Sequence, residues 1–167
     1  MAISTTMRQT LTTVETLGST ANPAISSSNN TVTHDGFNVA VTLNASSDPD
    51  GKSVACWEET LSDGAATIDL TNLTGTNGGT VSGDGKRVRA LLVKAPSDNG
   101  NVITLSKGAS NGYAGLGSSF SVDLDPGCSH LFYLADQGDE VSNGVDDTLD
   151  LAGTGFTDFL ELQVVFG

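Results

Sequence analysis

The feature that most constrains this chain is a two-residue rhythm of apolar side chains in short runs, each cut off by turn residues. In "GFNVAVTLN", Phe37, Val39, Val41 and Leu43 alternate with Asn38, Ala40 and Thr42. That period places one face of a strand toward a core and the other toward water. Alternation returns in "SVACWEETL" and "SSFSVDL", and "AATIDLTNL", "RVRALLVKA", "NVITLSK", "TLDLAGTG" and "DFLELQVVFG" are further short strand-like runs. No window holds a sustained 3.6-residue apolar stripe. About ten short strands at the spacing of a sandwich or barrel are expected, and the fold class read from them is all-β: a single β-sandwich, jelly-roll-like.

The intervening segments carry the chemistry of turns. "SDPDGK" at 47–52, "SDG" at 62–64 and "DPG" at 125–127 combine Asp, Pro and Gly, and "TGTNGGTVSGDGK" at 74–86 is a glycine-rich connector with Val81 as its apolar anchor. "PSDNG" at 96–100 reads as the turn of a hairpin that pairs "RVRALLVKA" with "NVITLSK", because Asn-Gly favours tight hairpins. "HLFYLA" reads as a strand buried on both faces, and "TIDLTNLTGT" and "TLDLAGTG" share a short echo. Residues 1–17, threonine-rich with Leu11, Val14 and Leu17, read as an N-terminal arm or an edge strand, since Thr is a poor helix former. Residues 18–167, which open on a polar loop at 18–30, form the sandwich domain.

At 167 residues the chain suffices for one compact domain. Seven basic against 20 acidic residues give a net charge of −13, which argues against nucleic acid as a partner. The one basic cluster, Lys86, Arg87 and Arg89, reads as a solvated strand edge, or as a salt-bridge patch for an acidic partner. The start, "MAISTTMRQTLTTVETLG", lacks the basic region and apolar core of a secretory leader, and no aliphatic run approaches a membrane span. Synthesis in a cytoplasm is therefore expected, with Cys56 and Cys128 as buried thiols, although one bridge is possible.

Candidate chemistry is sparse. "GASNG" at 108–112 matches the G-x-S-x-G nucleophile elbow, with Ser110 as nucleophile, Asp123 or Asp125 between, and His130 downstream. That motif works as a strand-to-helix turn, and here another loop and strand follow, so the match is read as a strand connector. "DGKS" at 50–53 lacks the leading glycine of a phosphate-binding loop, with Ser46 in its place. Calcium and solvated turn carboxylates compete for Asp48 and Asp50, and for Asp136, Asp139 and Glu140 with Asp146 and Asp147 nearby. His34 and His130 lack partners at zinc-ligand spacing and are expected to be partly buried strand histidines. Trp57, Tyr113 and Tyr133 would make a sugar platform only if they converged; core packing is the default use of such aromatics. The chain nominates no catalytic, cofactor-binding or metal-ligating residue, and no enzyme activity is expected.

Residues 64–167 resemble small structural proteins of tailed bacteriophages. The resemblance is carried by the "ATIDLT" strand, the "GTNGGTV" connector, the long strand after it, the "TLSKGASNGY" loop, "HLFYLADQG" and "TLDLAGTG"; "VTHDGFNVAVTLNASS" has a similar flavour. The resemblance implies a virion component made in the host cytoplasm. Foremost is a capsid decoration (cement) protein that binds the major capsid protein and itself, commonly as a homotrimer, without nucleic acid or membrane. A tail, fibre or spike part recognising host glycans is the alternative. An arm at 1–17 that adds a strand to a neighbour's sheet would serve the first role.

Overall fold

The computed structural model describes residues 3–17, 30–155 and 157–167, apart from the side chains of 15–17, 30–32, 34 and 37. In chain order the strands are β1 (Ser4–Leu17), β2 (Asn30–Asn44), β3 (Ser53–Thr60), β4 (Ala65–Asp69), β5 (Leu73–Thr74) and β6 (Thr80–Val81). They continue with β7 (Val88–Lys94), β8 (Ile103–Lys107), β9 (Ser121–Leu124), β10 (Ser129–Tyr133), β11 (Thr148–Gly153) and β12 (Phe159–Phe166). There is no helix among the described residues, and so none that could cross a membrane. The all-β expectation holds.

The chain divides into two compact units, Thr5–Thr42 and, with the chain start, Leu43–Gly167. The larger is a sandwich of two four-stranded antiparallel sheets, ordered β10-β7-β12-β3 and β4-β11-β8-β9. Pairing is nested: β3 with β12, β4 with β11, β7 with β10, and β8 with β9. Alternation supplies the core between the sheets. Leu160, Leu162, Val164 and Phe166 of β12 point inward, with Leu91 and Val93 of β7 beside them. Ile103 and Leu105 of β8, Leu149 and Leu151 of β11, and Ile68 of β4 complete the same buried cluster. The β5–β6 hairpin closes one end through Leu73, which is buried, and Val81, which is half-buried. Gly83 lets Phe166 lie there: a Cβ at this position would fall within 2.5 Å of the Phe166 ring.

Nesting overturns the expected β7–β8 hairpin. The two strands lie in different sheets, and residues 95–102 cross between them. Asn99 does not shape a tight turn. Its side chain accepts from the Phe159 amide at 3.2 Å and donates to the Phe159 carbonyl at 2.8 Å, as a strand residue's backbone would. The Gly100 amide donates to Asp158 at 3.0 Å. Asn-Gly was a signal for local pairing, and side-chain bonds to a distant strand captured it instead.

"HLFYLA" is likewise not buried on both faces. β10 is an edge strand with Ser129 and His130 exposed and Leu131–Tyr133 half-buried. The segments that share the echo, "TIDLTNLTGT" and "TLDLAGTG", begin in neighbouring strands: β4 and β11 pair antiparallel, with Thr148 opposite Asp69 and Asp150 opposite Thr67. The Thr67 hydroxyl donates to the Asp150 carboxylate at 2.8 Å.

The smaller unit is a two-stranded ribbon of β1 and β2. Residues 1–17, expected as an arm or an edge strand, thus contribute β1 of a ribbon whose other strand, β2, falls within the stretch expected to form the sandwich. At ~3.3 Å per residue such strands extend roughly 45 Å. β2 is expected to bury one face, yet among its described side chains only Leu43 is buried, Val41 is half-buried and Val39 is 50% exposed. The loop expected at 18–30 lies, but for Asn30, outside the described residues, as do the side chains of Phe37 and His34.

Truncation should separate core from surface. Leu105→Ala, at 0% exposure, is expected to cost about 2–5 kcal/mol in urea unfolding. Leu92→Ala, on the outer face of its sheet and 37% exposed, is expected to cost under about 1 kcal/mol.

Candidate functional site

The loop after β8 is built around Thr148 of β11. The Gly108 and Tyr113 amides both donate to the Thr148 carbonyl, at 3.1 and 2.8 Å. The Asp147 and Thr148 amides both donate to the Asn111 carbonyl, and the Thr148 hydroxyl donates to the Ser110 carbonyl. Gly108 and Gly112 are required by close approach, since a Cβ on either would collide with Thr148 or with the Gly108 backbone. Ser110 is exposed on this clamp. His130 lies on β10 in the opposite sheet, stacked on Phe132 with 6.1 Å between ring centroids. Asp123 accepts from Thr104 at 2.7 Å on the outer face of β9, and Asp125 is exposed in the turn that follows. The three residue types of the elbow reading are thus not brought together.

Tyr113 ends the clamp and is the largest fully buried side chain among the described residues. Its hydroxyl donates to the Asp139 carbonyl at 2.7 Å and accepts from the Val88 amide at 3.4 Å. Burial pushes its pKa up to about 12, so it is a neutral structural pin. Tyr133 lies on the edge strand β10, and Trp57 on β3 at the far edge of the same sheet. The three aromatics do not form a platform.

Trp57 nonetheless lines a cleft of its own. It is half-buried, and its indole nitrogen donates to Glu59 at 3.0 Å. Thr67, Asp69, Asn72 and Thr74 complete the polar wall of a space of about 220 Å³. Asp69 is held there by the amide and hydroxyl of Thr71, at 2.8 and 2.6 Å. The cleft arises because β3 and β4 are edge strands of their two sheets. A broader depression of about 650 Å³ lies at 100–104 and 152–154, with Asp123 as its only carboxylate.

The basic cluster has a role that neither expectation foresaw. Arg89 is 8% exposed and donates to the Ala135 carbonyl at 2.8 Å, to Asp136 at 2.5 Å and to Asp50 at 3.1 Å. Arg87 donates to the Gly138 carbonyl and Lys86 to the Ser82 carbonyl, each at 2.5 Å. The cations are turned onto the chain's own loops, and the two arginines gather carbonyls and carboxylates from distant segments. The Lys52 ammonium pairs with Asp50 at 2.7 Å, and that bond is the first cause holding the Asp50 carboxyl below its ordinary range.

Two more residues of the acidic clusters are similarly engaged. Asp146 accepts from the Ala114 amide at 2.7 Å, and Asp147 from the Gly144 amide at 2.5 Å. Among the described residues no three His, Cys, Asp or Glu side chains are grouped to hold a metal. Cys56 and Cys128 are free thiols and both exposed, contrary to the expected burial. Cys56 lies on the outer face of β3 and Cys128 just before β10, at opposite edges of one sheet. Three strand spacings, ~14 Å, separate those edges, beyond the reach of a disulfide.

No family model matches the chain, and no curated protein matches it.

The Asp158 clasp yields a pH prediction. The Gly100 amide foremost, then the Asn101 side chain at 3.0 Å, holds the Asp158 carboxyl below its ordinary range. A depressed folded-state pKa gives stability that is present above the unfolded value, about 3.9, and is lost as pH falls through the folded one. The urea midpoint should stay level from pH 8 to about 5 and fall below about 4. Asp158→Asn should lower the midpoint at neutral pH and flatten that acid limb.

Proposed function

We propose that this chain is a structural protein of a phage virion, and specifically a capsid decoration protein that binds the major capsid protein and reinforces the shell. The observation that carries this reading is how its polar groups are used. Many of its carboxylates, the basic cluster and the elbow-like loop hold strands and turns together, while a ribbon of 14- and 15-residue strands carries exposed apolar side chains. A body locked by its own polar contacts, with an extended element available for main-chain pairing, suits a protein that works by binding others of its kind. We read the nested strand pairing as a jelly-roll connectivity, two Greek keys folded over one core. The resemblance of residues 64–167 to small phage structural proteins supports the same assignment.

Mass spectrometry of washed, gradient-purified particles tests this directly. A copy number approaching one per capsid subunit is the expected result. A few copies per particle would move the chain to the tail or fibre, and absence from particles would end the virion reading.

One observation favours the second reading, a tail or spike component that binds host glycans. Trp57 lines a cleft with Glu59, Asp69 and Asn72, and an aromatic face beside hydrogen-bonding groups suits a sugar ring. On that reading, glycan-array binding should fall at least tenfold in Trp57→Ala while the fold is retained. An array without signal for the unsubstituted protein would remove it.

A further inference from the structure

We propose that the cleft between β3 and β4 is a cation site, which takes the guanidinium of an arginine presented by a partner protein. This holds whether or not the chain is a virion component, and it gives the Trp57 cleft a charged ligand in place of a sugar.

The register of β3 starts the cleft. Ala55, Trp57 and Glu59 stand opposite Val164, Leu162 and Leu160 of β12, and those three partners are buried in the core. Side chains directly opposite share a face, so Glu59 occupies a core-facing position. It is half-buried there. A carboxylate drawn part-way out of water calls for a partner of opposite charge. Among the described residues, the Glu59 carboxylate is bonded only to the Trp57 indole N–H at 3.0 Å, a neutral donor.

The wall carries a second carboxylate and no cation. Asp69 uses Oδ1 for both the amide and the hydroxyl of Thr71, which leaves Oδ2 open. Buried Ile68 and Leu73 also line the space, and no Lys, Arg or His does. An inward charge that discourages pairing at a sheet edge would account for Glu59 alone. It does not account for an indole and two carboxylates around a space of about 220 Å³. That volume is below the roughly 300–1,000 Å³ of pockets for drug-sized ligands, and suits one long side chain.

Arginine matches these parts best. Its planar guanidinium stacks on an aromatic ring and offers a fork of N–H donors to carboxylates, which a point-like ammonium does less well. The indole N–H is already committed to Glu59, so what Trp57 offers a ligand is its ring. A neutral sugar would use that ring but leave both carboxylates without a counter-charge. The chain's net charge of −13 adds a long-range attraction for a basic partner surface.

Trp57 is the single tryptophan, so its fluorescence reports the site directly. Titrating the full chain at low salt with acetyl-Gly-Arg-Gly-amide should give a saturable change, with a dissociation constant of roughly a millimolar or below. Citrulline in place of the arginine keeps the shape without the charge and should weaken binding about tenfold or more. The lysine peptide should bind about threefold more weakly than the arginine peptide. Glu59→Gln keeps an acceptor for the indole N–H and should also weaken binding about tenfold. Asp69→Asn, at a more exposed carboxylate, should weaken it about threefold. Glu58→Gln, on the outer face of the same strand, should leave binding within about twofold. Absence of a saturable change would overturn the proposal. So would a citrulline or lysine peptide that binds as tightly as the arginine one, or equal losses from Glu58→Gln and Glu59→Gln. Saturation of the Trp57 signal by a neutral oligosaccharide where the arginine peptide gives none would return the cleft to the glycan reading.

Discussion

The sandwich depends on one long-range pairing, that of β12 with β3 on one side and β7 on the other. β12 is the last strand in sequence and a central strand in space. Its inward Leu160, Leu162, Val164 and Phe166 lie within the core, and its backbone ladders join the first strand of the sandwich to the middle of the chain. Without it, β3 would have no partner in its sheet and β7 would keep only the edge strand β10. The fold is therefore strongly non-local, and the loop-closure entropy of nearly the whole domain is opposed by contacts that form only when its last strand arrives.

Local polar contacts serve that arrangement at its ends. Arg89 ties the 48–52 and 134–140 loops to β7. Asn99 and Asp158 fasten the 95–102 crossover to the start of β12. Thr148 gathers the loop after β8, and Tyr113 links that loop to the carbonyl of Asp139. Each contact joins segments far apart in sequence, so each supports the nesting rather than one hairpin. This use of polar groups also explains why residues with catalytic or metal-binding promise in the sequence do not converge.

The ribbon follows a different logic. Its two strands are paired with each other, and their threonines favour extended backbone whichever face they occupy. Its alternation resembles that of a sandwich strand, which is why β2 reads as one from sequence. Alternation reports that one face prefers an apolar neighbour, and says nothing of whether that neighbour lies in the same chain. Val39, expected inside and found half exposed, is where the two possibilities part.

The strand-like runs "RVRALLVKA", "NVITLSK" and "DFLELQVVFG" were enough to determine strands and the all-β class, because those properties are set by backbone geometry within a few residues. The poor fit of "GASNG" to a strand-to-helix elbow was legible for the same reason. The sheet to which each strand belongs was not: "PSDNG" carried a hairpin signal, and the tertiary fold used Asn99 and Gly100 to bind Phe159 and Asp158 instead. Nor could the sequence show Arg89 turned inward, both thiols turned outward, or Trp57 beside Glu59 and Asp69 in an edge cleft. Those placements depend on which strands end at which edge, and that order is decided by the shared core of two sheets, a property of the whole chain that no local window contains.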